Sequence, residues 1–337
     1  MDYSKFLNLQ FNDIQVVKAV REKLIGAIML QAPSGAGKTT SALLLAYGMM
    51  KAKYPELKDE EIWIKIGVVD TEHKRSLVNV GMQKGNVTIG HYKFVEFNKP
   101  YSIERAFACF TVLKQQGVEV IIFDSTSHVW EGTGGIQDYQ QALGGRFQDW
   151  RTANKDAYEP FVDLVTGVVH EITIINTART KQEHAMVTNE LGKTEVQKLG
   201  MKPIQRDSLE YEFQIVFNID MDHKARVSKD NSGLFESMSE AITPEHGKLI
   251  YEWLDEGKDI LAEKKEKERI ENEKRLGLAA DIHKQATDFN LLSWLGQTLA
   301  HPYFNVSRLE DLDMQKLEEI RKAMQPVMEQ QEANGNV

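Results

Sequence analysis

The chain has 337 residues, 42% apolar and 27% charged, enough for one domain of ordinary size with a sizeable core plus an accessory segment. Its formal net charge of -9 excludes a protein coated in positive charge, so any nucleic-acid contact must be local. A single cysteine excludes an intrachain disulfide, and no run reaches the roughly 18 uninterrupted apolar residues of a membrane span; with no basic-then-apolar start, these features predict a cytoplasmic protein without membrane contact.

In chain order, residues 1–22 read as an N-terminal segment and a candidate for oligomerisation. Short β-branched runs then alternate with longer helical patterns, the signal of a parallel sheet with helical crossovers, so an α/β core is expected over 23–256. Strands are predicted at Leu24 to Leu30, Ile62 to Asp70, Tyr92 to Phe97, Glu119 to Asp124 and Glu171 to Asn176. Cys109, inside "RAFACFTVL", reads as a buried small hydrophobe rather than a reactive thiol. The alternating stretch "EYEFQIVFNIDMDHKARVSKDNSGLFES" predicts an antiparallel ribbon at the sheet edge, turning at "DMDH". Residues 257–277, which include "KDILAEKKEKERIENEKR", are too charged to bury a face and read as a helical linker. In 278–330, Leu291, Leu292, Leu295 and Leu299, then Met314, Leu317, Ile320 and Met324, mark two short amphipathic helices. Pro326 is expected to end the second, leaving 331–337 as a disordered tail.

The chemistry starts at "MLQAPSGAGKTTSALLLAY", Met29 to Tyr47. Phosphate binding needs consecutive N–H groups aimed at one point, a helix N-terminus behind them, a lysine, and a hydroxyl for magnesium. "APSGAGKT" provides all four: the backbone of Ser34, Gly35, Ala36 and Gly37, then Lys38 for the β and γ phosphates and Thr39 for Mg2+, with Thr40 near the α phosphate. Ala32 replaces the first glycine of the pattern, a small-residue departure. In "VEVIIFDSTSHVW", Asp124 at a strand end can hold magnesium through a water; the bland alternative is a helix cap. Hydrolysis also needs a carboxylate near the γ phosphate to orient and deprotonate water. Ser125 follows Asp124, so the base must come from elsewhere, and "IKIGVVDTEHKRS" offers Asp70 and Glu72 at another strand end; Glu72 is preferred.

The cradle, the "DTE" and the "FDS" resemble the RecA and recombinase ATPase core, in which that glutamate activates water. "ITIINTARTKQ" is similar to the RecA-family strand that ends at a γ-phosphate sensor before a DNA-binding loop. The resemblance puts Asn176 and Thr177 at the sensor and leads Arg179 and Lys181 into the loop; RecA has glutamine where this chain has Thr177. "ARVSKDNSGLF" resembles the segment whose lysines reach a neighbouring subunit's ATP, with Lys229 the matching lysine and Asn231 in place of a second. Over roughly Lys23 to Phe235 the chain is similar to the AAA-type, RecA-like P-loop ATPases of bacteriophages, often tied to recombination and replication. That likeness implies ATP and Mg2+ as cofactors, a homo-oligomer with ATP at the subunit interface, single-stranded DNA as partner, and a bacterial host's cytoplasm as location.

From its charges, the segment from Ala178 to Arg206 can meet phosphates through Arg179, Lys181, Lys193, Lys198, Lys202 and Arg206, and "EGTGGIQDYQQALGGRFQDW" can supply Tyr139, Phe147 or Trp150 for base stacking. The bland alternative is a pair of mobile loops at a subunit interface. His73, His128 and His184 are too scattered for a structural metal site. Two other functions compete with a DNA-linked ATPase: a P-loop kinase with "ARTKQEH" as its lid, which Glu72 disfavours because water would waste ATP, and a nucleotide-gated helicase loader whose partner docks on the C-terminal helices.

Overall fold

The run "AIMLQA" buries all six of its residues, with Ile28, Leu30 and Ala32 entering one core and Ala27 and Met29 the other. That alternation is what a strand covered by helices on both faces requires. A computed structural model of the chain describes residue 16, residues 18–188 and residues 194–333, with the backbone alone for 182–188 and 194–200. The predicted N-terminal oligomerisation segment thus lies mostly outside the described residues.

The protein is α/β, with a mainly parallel mixed sheet flanked by helices. Its strands are β1 (Ala27–Ala32), β2 (Ile66–Asp70), β3 (Lys93–Glu96), β4 (Val120–Asp124), β5 (Thr173–Thr188), β6 (Thr194–Pro203), β7 (Ile215–Ile219) and β8 (Ala225–Asp230). Their order is β8-β7-β1-β5-β4-β2-β3, and β6 pairs with β5. β5 thus lies between β1, which leads into the cradle, and β4, which carries Asp124. Registers Ala32↔Arg179 and Asp70↔Asp124 align the carboxyl ends of the strands along one edge. A small antiparallel pair, Gln83–Lys84 with Val87–Thr88, stands apart from this sheet.

Helix α1 (Lys38–Lys53) and helix α2 (Pro244–Asp255) cover one face of the sheet. Glycines allow their close approach: a Cβ on Gly48 would stand 1.9 Å from the Pro244 carbonyl oxygen, and one on Gly247 2.1 Å from that of Leu45. Gly48→Ala gains roughly 1 kcal/mol of helix propensity, but the added methyl meets backbone that cannot rotate away. A net destabilisation of about 1–3 kcal/mol is expected in urea unfolding; an unchanged or raised midpoint would show that the helices can move apart freely.

Several expectations change. The strand expected from Ile62 begins at Ile66, because the acid-rich first turn Asp59, Glu60, Glu61 favours a short helix, Asp59–Trp63, with Glu61 accepting the Lys58 N–H at 3.0 Å. The expected edge ribbon is split in kind: β7 joins β1 in parallel, and only β8 is antiparallel to it. The segment expected to be a long polar loop after Asn176 is instead the continuation of β5, paired antiparallel with β6 from Thr180↔Pro203 to Thr188↔Thr194.

The second compact unit, Lys258–Val337, has its own core of residues such as Ile282, Leu295, Leu299, Leu317 and Ile320. One helix, Ile260–Asp288, runs straight across the boundary drawn at 277, its buried residues Ala279, Ile282 and Ala286 all in its second half. The two amphipathic helices are Leu292–Ala300 and Met314–Ala333. Pro326 does not end the latter: Met324 is buried before it, and Val327 and Met328 pack on the same core after it, which holds the turn despite the missing N–H. Residues 331–333, expected in the disordered tail, are helical, and 334–337 lie outside the described residues. Among the described residues, no helix is long and apolar enough to cross a membrane.

Candidate functional site

β1 delivers the chain into a turn where Gly35 and Gly37 take φ of 87° and 90°, the left-handed region that glycine occupies at no steric cost. Gly37 then opens α1, and no side chain caps that N-terminus. Ser34 and Gly35 are exposed, while Ala36 is buried, with His223 Nδ1 3.0 Å from its carbonyl oxygen. Lys38 is buried and donates from Nζ to the carbonyls of Ala32 (3.1 Å) and Pro33 (3.2 Å). Burial pulls its pKa down, and the charges of Asp124 and Glu72 only partly restore it.

Thr39 follows on the helix and donates to Asp124 Oδ2 at 2.5 Å, while Thr177, from β5, donates to Oδ1 at 2.5 Å. Asp124 is 1% exposed, and burial raises its pKa against those two hydrogen bonds. A carboxylate with a neighbouring hydroxyl, short of charge compensation and facing a phosphate cradle, fits the small hard-donor set Mg2+ takes when phosphates and waters complete its shell. Thr40, expected near the α phosphate, donates to Asn79 Oδ1 at 2.7 Å.

The two acids of "DTE" divide their work. Asp70 is fully buried and shapes the turn: Oδ1 accepts the Glu72 N–H (2.6 Å), and Oδ2 accepts the N–H and hydroxyl of Ser76 (2.9 and 2.5 Å). That turn presents Glu72 at the edge of the cradle. Its Oε1 accepts Arg179 Nε at 2.6 Å and the Ser125 hydroxyl at 3.3 Å, and Oε2 accepts Arg75 at 3.4 Å. Burial pushes the Glu72 pKa up, but the Arg179 hydrogen bond and charge, with Lys38 beside them, outweigh it and hold it below the ordinary value. Next to it, His128 accepts or donates at Thr71 Oγ1 (2.7 Å), stacks on Tyr101, and is pushed down to about 4 by burial and then by Arg179, so it is neutral at pH 7.

The structure therefore brings Lys38, Thr39, Asp124, Glu72 and Thr177 to one strand edge. It does not bring Asn176 there: on the other face of β5, its Nδ2 bridges the carbonyls of Ile28 (3.3 Å) and Val165 (2.9 Å). Lys229 sits on the edge strand β8, opposite Val216, and donates to the Tyr211 carbonyl at 2.5 Å. Arg179 is a correction: instead of leaving with the ribbon to meet DNA, it turns inward to Glu72. Period-two alternation held the signal, since Thr177 and Arg179 share a face of β5. His223, Ser76 and Asn79 had no such signal: a turn brings His223 to Ala36, and a short 3-10 helix, Arg75–Asn79, sets Ser76 on Asp70 and Asn79 on Thr40.

Two openings flank this edge. One, about 630 Å³, lies between Gly37, Thr40, Leu44 and His223 on one side and Val87 and Ile242 on the other. The other is a pair of adjoining clefts that share Trp130 and Arg206. A polar one of about 740 Å³ includes Lys181, Lys202 and Gln205, and an apolar one of about 670 Å³ includes Phe147 and Trp150. Trp130 and Trp150 stack at 5.9 Å, Arg206 lies 4.5 Å over the Tyr158 ring, and Phe147 is 93% exposed. Lys202 pairs with Asp207 at 3.1 Å, and Tyr139 donates to Asp156 away from these clefts. Of the other expected DNA contacts, Lys193 lies outside the described residues, as does the side chain of Lys198.

A scan against protein-family models matches none to this chain, and a search of curated proteins likewise finds no match.

Proposed function

We propose that the protein is a Mg2+-dependent, RecA-like P-loop ATPase that works on single-stranded DNA as an oligomer. The observation that carries the ATPase reading is the convergence of Lys38, Thr39, Asp124 and Glu72 at one edge. A phosphate cradle, a magnesium donor set and a water-activating carboxylate are the parts hydrolysis needs. Thr39 and Asp124 would hold Mg2+, which would supply positive charge against the phosphate oxygens. Lys38 exchanges the Ala32 and Pro33 carbonyls for those oxygens, and the opening beside Gly37 and Thr40 takes the nucleoside. Glu72 accepts a proton from the attacking water as the γ phosphorus–oxygen bond breaks and ADP leaves with its electron pair. A kinase is disfavoured because this buried carboxylate would direct water at the same phosphorus.

The DNA half of the reading is supported by the adjoining clefts. Their lining holds Lys181, Lys202, Arg206 and Arg151 against Glu131 and Asp207, a local positive excess in a chain of net charge -9, beside the exposed ring of Phe147. Cations that track phosphates beside rings that stack bases make up a single-strand site. ATP turnover in Mg2+ is expected to rise with single-stranded DNA, with sedimentation reporting the assembly. Phe147→Ala should weaken DNA binding by about 1–3 kcal/mol per lost stack while leaving DNA-free turnover unchanged. Turnover indifferent to every form of DNA, with equal affinity in the variant, would remove the DNA half and leave the ATPase.

A further inference from the structure

Arg179 stands where β5 leaves the sheet. Its Cα pairs with Ala32, the residue that opens the cradle, and by strand alternation its side chain lies on the same face as Thr177, which touches Asp124. On the ATPase reading, this carboxyl edge beside Asp124 is where the end of a phosphate chain would lie. The Arg179 N–H is anchored by the Ser127 hydroxyl at 3.0 Å, which fixes the side chain's point of departure. Its side chain is two-thirds covered and binds Glu72 through Nε; among the described residues, its two terminal nitrogens make no hydrogen bond. Meanwhile Thr177, the residue expected to sense the γ phosphate, has its hydroxyl committed to Asp124.

We propose that Arg179 is the γ-phosphate sensor of this site, acting within its own chain: without a triphosphate it clamps Glu72, and on triphosphate binding it moves its guanidinium to the terminal phosphate and releases the Glu72 carboxylate to the water. The inference rests on the ATPase reading and adds to it a residue that tells ATP from ADP. The exchange is favoured because a terminal phosphate carries more charge than one carboxylate and offers the planar fork two oxygens. ADP ends one phosphate short, so it leaves the clamp closed. The same guanidinium thus restrains the base in the empty site and neutralises charge in the filled one, as a cis-acting arginine does in other phosphoryl-transfer sites.

The test is the affinity for Mg-ADP and for a non-hydrolysable Mg-ATP analogue, measured on the full chain, on Arg179→Ala, on Arg179→Lys and on Glu72→Gln. The unaltered protein should prefer the triphosphate. Arg179→Ala should weaken the triphosphate by roughly tenfold and leave ADP unchanged, Arg179→Lys should recover part of the loss, and Glu72→Gln should keep or widen the preference because the clamp is looser. Equal losses for both nucleotides in Arg179→Ala would assign the residue a merely structural role, and unchanged affinities would assign it none; either overturns the inference while leaving the ATPase reading standing. Failure of the unaltered chain to bind either nucleotide overturns the ATPase reading and the sensor together.

Discussion

Lys38→Ala is expected to lower ATP turnover by roughly 10²–10³-fold and to weaken binding of ATP and ADP alike. The effect is large because Lys38 is the buried cation of the cradle, drawn below its ordinary pKa by burial and held charged in part by Asp124 and Glu72. Bringing phosphates to it supplies the counter-charge it lacks and pushes its pKa back up, so binding and protonation reinforce each other. Isothermal titration with Mg-ADP and a coupled turnover assay separate the two losses. Nucleotide affinity equal to that of the unaltered chain would mean that the phosphates lie elsewhere.

The second large effect belongs to Glu72→Gln, which keeps shape and hydrogen bonding but cannot take a proton. Turnover should fall by about 10²–10⁴-fold with nucleotide affinity preserved, the opposite split from Lys38→Ala. Its pH dependence has a definite sign. Glu72 must be ionised to act as base, so activity is present above its pKa and lost as pH falls through it; with its pKa held below the ordinary 4.5 by Arg179 and Lys38, the acid limb of kcat/KM should lie below that value. Removing the guanidinium in Arg179→Ala should move the limb up. A limb near neutrality in the unaltered chain would point to another base.

How far the sequence carried the architecture depends on which forces are local. The cradle was legible because its glycines, lysine and threonines are contiguous, and β1, β2 and β4 were legible because each is a short, mostly apolar run, with β2 and β4 ending in an aspartate at the sheet edge. Glu72 could be reached by asking what hydrolysis lacks after Asp124. Arg179 could not be placed from charge alone, because a basic residue at the start of a polar stretch looks the same whether it turns toward solvent or toward a carboxylate 107 residues away. The β5–β6 pairing was hidden because the sequence there mixes polar and apolar residues without the sustained alternation that marks a half-buried strand. Pro326 misled for the converse reason: backbone chemistry argued for a stop, and packing of Val327 and Met328 on the second unit's core decided otherwise.

β5 belongs to two structures at once. Its register is fixed by β1 up to Arg179 and by β4 up to Asn176, and from Thr180 to Thr188 it pairs with β6. The ribbon is therefore a replaceable appendage on a fixed anchor. Residues can be added to or taken from its far end in matched pairs, changing its reach and what it touches, while Thr177 stays at Asp124 and Arg179 at Glu72. A change in the length of the ribbon therefore leaves the geometry at its root, Thr177 on Asp124 and Arg179 on Glu72, in place.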